Sequence, residues 1–222
     1  MSVTILEMAH SPFCIPVTRA LEACGVAFER ESVPNGDRTR IARLTRGAYY
    51  AVPVLLDGDT VVHESGDDTQ DVARYIDGHF AGGKLFPPEL DGLQSILIPW
   101  LENEVESLTF KCVDPGYLGA IEDIGERTMI IRHKERKFGR GCVERWRAEV
   151  GELRAAAAVH FARLNALLTP SGQPWLLGNA PVYTDFLAYG ILGNYLFQDL
   201  NPFPENLPAL QDWHARLRDF RF

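Results

Sequence analysis

The sequence predicts an α/β domain of element order βαβαββα followed by an all-α helical domain. Before residue 80, short apolar runs alternate with helical patterns. Two of those runs flank Asp57-Gly58-Asp59, a turn sequence whose glycine tolerates positive φ. Beyond the proline- and glycine-rich stretch that follows, every apolar pattern has helical period. A chain of 222 residues is long enough for two such domains, since one domain typically takes roughly 150 residues.

Val3 to Met8 reads as a first strand and Pro12 to Cys24 as a helix; Phe28 to Val33 and Asp37 to Thr45 repeat the pair. Val52 to Leu56 and Thr60 to His63 then form an antiparallel hairpin. Val72, Tyr75, Ile76, His79 and Phe80 keep the i, i+3, i+4, i+7, i+8 spacing of one buried helix face. Glycines and prolines after Ala81 mark a linker over 81–90, which divides a domain of residues 1–80 from one of residues 91–222. In the second domain helices are expected over Gly92 to Cys112, Ile121 to Phe138, Val143 to Leu168, Asp185 to Leu196 and Pro208 to Phe220. Gly139 and Gly141, and then the Thr169 to Pro174 stretch, separate neighbouring helices.

With 46% hydrophobic and 23% charged residues the composition is globular, which excludes a disordered or fibrous chain. A net charge of −8 and a pI near 5.3 argue against a nucleic-acid binder, which needs cations to neutralise phosphates. One segment departs from that balance: Arg132, Lys134, Arg136, Lys137, Arg140, Arg145 and Arg147 fall close together. They form either a solvated helix face or a surface for an acidic substrate or a partner subunit. No apolar run is long enough to cross a bilayer, so no membrane partner is expected. Met1 to Ala9 lacks a basic start and a long apolar run, and the protein is expected to be cytoplasmic. Cys14, Cys24, Cys112 and Cys142 show neither a CxxC pair nor metal-ligand spacing, so reduced thiols and no metal are expected.

The most informative tetrapeptide is Ser11-Pro12-Phe13-Cys14, where the first strand gives way to the first helix. Ser is a preferred N-cap and Pro a preferred first helical residue; free N–H groups and the helix dipole make that end attractive to an anion such as a thiolate. Taken alone, Ser11 is an ordinary helix cap. The second signal is Val52-Pro53-Val54-Leu55. Proline cannot donate to a sheet ladder, so one opening a strand marks an edge or a cis peptide bond. Val52 would then offer its N–H and C=O to a peptide-like ligand added as a strand.

Together these residues resemble the glutathione transferase superfamily, in which a thioredoxin-like amino-terminal domain precedes an all-helical domain. Ser11-Pro12-Phe13-Cys14 is similar to the active-site turn of its serine-type classes, and to the glutaredoxin dithiol turn with its first cysteine replaced by serine. Val52-Pro53 is similar to the family's cis-proline strand. The resemblance implies that glutathione is the cosubstrate and that Ser11 donates a hydrogen bond to its sulfur. A free thiol titrates near about 8.5, and a hydroxyl donor at a helix N-terminus can lower that by about a unit. Cys14 would occupy the resolving-cysteine position of glutaredoxins; its readings are buried packing or a mixed disulfide with glutathione.

The resemblance also implies that Phe13, Val52 and Pro53 contact glutathione and that an acidic residue followed by Ser or Thr holds its γ-glutamyl group. Glu64-Ser65 and Asp68-Thr69 both match that pattern, and helix geometry favours Asp68 and Thr69, with Asp68 as N-cap. The lysine that the family commonly places before Val-Pro is replaced by Tyr49-Tyr50-Ala51, leaving Arg46 or a tyrosine hydroxyl for the glycyl carboxylate. Pro181 to Phe186 resembles the family's core-helix start, although Val182 stands at the usual Ser or Thr cap. The acceptor pocket is expected between the domains, with Trp100, Phe110, Tyr117 and Phe222 as its aromatic candidates.

The leading function that the resemblance implies is attack of the glutathione thiolate on a small hydrophobic electrophile, including ether cleavage as in the bacterial β-etherase branch. The alternatives are a glutathione-dependent thiol transferase or reductase acting through Cys14, and a non-catalytic glutathione-fold binding protein. A homodimer is expected by the same resemblance.

Overall fold

The computed structural model describes residues 2–65, 70–169 and 173–222. Strands β1 (Val3–Glu7), β2 (Phe28–Ser32), β3 (Val54–Asp57) and β4 (Thr60–His63) form one sheet in the order β2-β1-β3-β4. β1 runs parallel to β2 and antiparallel to β3, with Ile5 opposite Arg30 on one side and Leu55 on the other. The crossover between the parallel pair is helix α1 (Cys14–Ala23), as a parallel connection requires. The β3–β4 hairpin pairs Asp57 with Thr60 around Gly58, whose φ of 59° suits glycine. Helices α2 (Thr39–Leu44) and α3 (Asp71–Ile76) complete the α/β domain.

Seven α-helices follow among the described residues: α4 (Pro88–Trp100), α5 (Ser107–Ala120), α6 (Ile124–Phe138), α7 (Cys142–Ala148), α8 (Val150–Leu168), α9 (Tyr183–Tyr195) and α10 (Pro208–Asp219). α4 starts at Pro88 rather than Gly92, because proline at the first helical position loses no ladder bond. A wider π-type turn over Leu101–Glu106 carries α4 into α5, so the helix expected to stop at Cys112 runs on to Ala120. The single helix expected from Val143 breaks at Glu149 into α7 and α8. In the segment after α3 the backbone widens into a π-type turn over Asp77–Ala81. That turn buries Asp77, whose carboxylate accepts the N–H groups of Leu85 and Phe86 at 2.8 and 3.3 Å. His79 is therefore not on the buried face; it is exposed and stacks on Tyr75 at 3.8 Å.

One apolar core runs through both domains. Ile5, Val17, Leu21 and Leu55 share it with Phe161, Phe186, Leu192 and Trp213, all essentially without exposure. α9 is its axis and lies directly against α1. Gly190 makes this possible, since a Cβ there would fall 2.6 Å from the Pro12 carbonyl oxygen. The start of α9 needs no hydroxyl cap: the fully buried Asp185 accepts from the N–H groups of Leu176 and Val182 and from Trp213 Nε1 at 2.9, 3.1 and 2.8 Å. Val182 at the usual cap position is thus compensated from within the helix. Among the described residues no helix is long and apolar enough to cross a membrane, and the four cysteines are free thiols.

Candidate functional site

The site begins where β1 ends. The helical ladder of α1 starts at Cys14, two residues after the expected Pro12, and residues 11–13 form the turn into it. Ser11 still satisfies the helix end. Its carbonyl accepts from the N–H groups of Cys14 and Ile15 at 3.1 Å each, and its Oγ from those of Phe13 and Cys14 at 3.3 Å each. Ser11 is 7% exposed and Cys14 not at all. Burial pushes the Cys14 thiol up to about 12, against the pull of the Ser11 hydroxyl and the Met8 backbone. At neutral pH it is a protonated, buried thiol.

Across the sheet, the Val52-Pro53 peptide is cis. Pro53 is buried and β3 begins one residue later. No described backbone group bonds to the N–H or C=O of Val52. After β4, Glu64 accepts the Asp71 N–H at 2.7 Å, at the first turn of α3, while Asp71 accepts from both the N–H and the hydroxyl of Ser65, at 2.7 and 2.5 Å. Glu64 and Ser65 therefore sit at the start of α3, the place for which helix geometry in the sequence favours Asp68 and Thr69. Asp68 and Thr69 lie outside the described residues. Tyr49 stacks on His63 at 5.2 Å, and burial followed by the charge of Glu64 pushes its hydroxyl up, so it stays protonated.

Between the domains a cavity of about 460 Å³ opens beside this turn. Its α/β wall is Met8, His10, Asn35, Arg38 and Tyr50; its helical wall is Asp114 and Tyr117 of α5 with Met129, His133, Lys134 and Arg136 of α6. Asn35 Nδ2 donates to the Tyr117 hydroxyl at 2.7 Å and closes one side. The His10 ring packs 4.1 Å from that of Tyr117. Burial, then Lys134 and Arg38, push His10 down to about 4, so it is neutral at physiological pH.

Of the aromatic candidates for this cavity, Tyr117 lines it and the others do not. Trp100 packs against His160 at 5.7 Å, and Phe110 sits in a satellite core edge-on to Trp146 at 5.4 Å. Phe222 donates its N–H to Ala23 at 2.9 Å and packs on Phe220. Helical spacing identifies a buried face but not which neighbour covers it. Arg46 is exposed at the end of α2, with a left-handed φ of 54°, and does not line the cavity. His10, Asn35 and Arg38 are site residues that the sequence reading passed over. Beside Tyr117, the basic segment carried a signal for the opposite wall, since Lys134 and Arg136 belong to it.

With this geometry in hand, comparison with known proteins is decisive at the family level. Residues 6–84 match the family model of the glutathione S-transferase N-terminal domain, and residues 123–219 that of the C-terminal domain. The chain belongs to the glutathione transferase superfamily. A curated relative, glutathione S-transferase 4 of Zea mays, is 31% identical over 128 residues. That match covers 53% of this chain and 55% of the relative, so the chain spans about half the length of the relative it matches. The fold is shared with glutathione transferase GSTFuA3 of Phanerochaete chrysosporium, at TM-score 0.80 and 15% identity over 100% of this chain and 98% of that one. It is also shared with glutaredoxin 2 of Salmonella typhimurium, whose structure holds glutathione, at TM-score 0.73 and 17% identity over 98% and 94%.

Proposed function

We propose that the chain is a glutathione transferase in which Ser11 activates the thiol of bound glutathione and the interdomain cavity holds the acceptor. The observation that carries this reading is the Ser11 turn: a hydroxyl at the first turn of α1, with a cis Val52-Pro53 peptide on the neighbouring strand whose valine backbone has no partner among the described residues. Glutathione would pair with Val52 as an added strand, and its γ-glutamyl group would meet Glu64 and Ser65 at the start of α3. The Ser11 hydroxyl would donate to the sulfur and favour the thiolate. The thiolate then attacks an electrophilic carbon, forming a carbon–sulfur bond while the leaving group departs with the bonding electron pair; the thiol proton goes to solvent. Orientation of the two substrates across the domain interface supplies much of the advantage.

Reaction through Cys14 is opposed by its complete burial and raised titration. The test is calorimetric titration with glutathione and conjugation assays on wild type and Ser11→Ala. The reading expects glutathione to bind both proteins, with turnover by Ser11→Ala reduced at least about tenfold, in line with loss of a charge-stabilising donor. Absence of glutathione binding by the wild type at millimolar ligand would overturn it.

A further inference from the structure

His10 is the residue before Ser11, and it is held from three directions. Its carbonyl oxygen accepts from the Asn194 side-chain amide at 2.6 Å, and its ring packs 4.1 Å from that of Tyr117 and 5.6 Å from that of Phe197. The residue is half-buried and lines the acceptor cavity together with Tyr117. The imidazole nitrogens, by contrast, have no hydrogen-bond partner among the described residues. The titration of the ring is pushed down to about 4, first by burial, so it is neutral at physiological pH. An imidazole that takes up a proton only near pH 4 is a poor base for a thiol that titrates near about 8.5. It keeps one N–H in the neutral form, and such a donor in a partly dry site suits an oxygen on which negative charge develops.

We infer that His10 is a catalytic residue on the acceptor side of the site, whose imidazole N–H holds the oxygen of an α,β-unsaturated carbonyl compound as that oxygen becomes an oxyanion. This rests on the transferase reading and adds a residue for what happens at the acceptor. The glutathione thiolate bonds to the β-carbon, and the carbon–carbon π pair shifts to give an enolate with its charge on the carbonyl oxygen. The enolate then takes a proton from water at the α-carbon, which balances the proton that the thiol released to solvent. Ser11 and His10 are consecutive, with Cα atoms about 3.8 Å apart, so the sulfur beside one and the oxygen beside the other are within reach of a single enone. Asn194, Tyr117 and Phe197 hold the donor before the acceptor arrives, and little reorganisation is then needed during the reaction.

The test compares benzylideneacetone, an enone, with benzyl chloride. Only the first places negative charge on an oxygen of the acceptor; in the second the glutathione sulfur displaces chloride. His10→Phe keeps a ring against Tyr117 and Phe197 but removes both nitrogens, whereas His10→Gln keeps a side-chain N–H. In His10→Phe, kcat for the enone is expected to fall at least about tenfold further than kcat for benzyl chloride, toward the scale of one lost oxyanion donor. His10→Gln should recover part of that difference, with thermal melts and glutathione calorimetry confirming that the Ser11 turn survives in both variants. An equal fall for the two acceptors would overturn the inference, because it would make His10 a support of the Ser11 turn alone. So would an enone rate that His10→Phe leaves unchanged. If the wild type turns over neither compound, the transferase reading fails instead. The donor is then read from the carbonyl stretching frequency of benzylacetone, the saturated ketone, in infrared difference spectra with the protein: a downshift in the wild type that His10→Phe abolishes supports the inference, and no such shift overturns it.

Discussion

The side-chain amide of Asn194 on α9 donates to the carbonyl oxygen of His10 at 2.6 Å, tying the core helix of the helical domain to the loop that presents Ser11. Asn194 is 3% exposed, so no water replaces it readily. Asn194→Ala leaves a buried carbonyl without its donor, a cost of about 1–3 kcal/mol. The expected outcome is a melting temperature several degrees lower, together with weaker glutathione binding by calorimetry, because the loop holding Ser11 loses its anchor. A variant that melts lower but binds glutathione as the wild type does would show that the anchor serves stability alone.

Gly190 probes the same contact from another side. The missing Cβ lets α9 approach Pro12 and Pro16, and the Pro12 oxygen belongs to backbone that cannot rotate away. Gly190→Ala should separate α1 from α9 at an overpacking cost of about 1–3 kcal/mol. Gly193→Ala, whose Cβ would meet the movable Ile15 side chain at 3.3 Å, should cost less. Chemical denaturation of the two variants measures the difference, and equal losses would count against the close-approach argument.

The fold class was legible because its signals are local. The Asp57-Gly58-Asp59 turn, the proline opening β3 and the serine before α1 each impose their geometry whatever surrounds them. The cavity was not legible in the same way. Asn35 and Arg38 follow β2, whereas Tyr117 and Lys134 lie on α5 and α6, and no spacing along the chain announces that they meet. Tyr117 could be separated from Phe110 only by knowing that Trp146 covers the latter. The place of Glu64 was not legible either: cap geometry favours Asp68, and nothing along the chain shows that Glu64 accepts the Asp71 N–H.

Cys14 packs beneath the Ser11 turn with no exposure. Cys14→Ala removes only a sulfur atom from the core and should cost about 1–2 kcal/mol, at the low end of large-to-small substitutions. Conjugation of electrophiles should persist in that variant. Thiol-specific reagents should label Cys24, which is half-buried, before Cys14 in the native protein. Loss of conjugation with retained folding would instead give Cys14 a chemical part and reopen the redox alternative.

Acid should destabilise the protein through its buried imidazoles. His10 and His214 are each pushed down to about 4, in both cases first by burial and then by nearby cations, Lys134 and Arg38 for His10 and Arg218 for His214. The unfolded chain takes up those protons near 6.5, so between about 6.5 and 4 it binds more protons than the fold, and stability falls as pH drops through that window. Asp185 works in the opposite sense. Burial raises it to about 6 against an ordinary 3.8, so the fold takes its proton first and recovers part of the loss below pH 6. His214→Phe keeps a ring against Tyr189 and Phe203 but removes one titration. The slope of unfolding free energy with pH should then shrink by up to about 1.4 kcal/mol per pH unit within the window, the value for one proton. Denaturation curves at pH 7, 6 and 5 measure it, and an unchanged slope would mean that His214 titrates alike in the folded and unfolded chains.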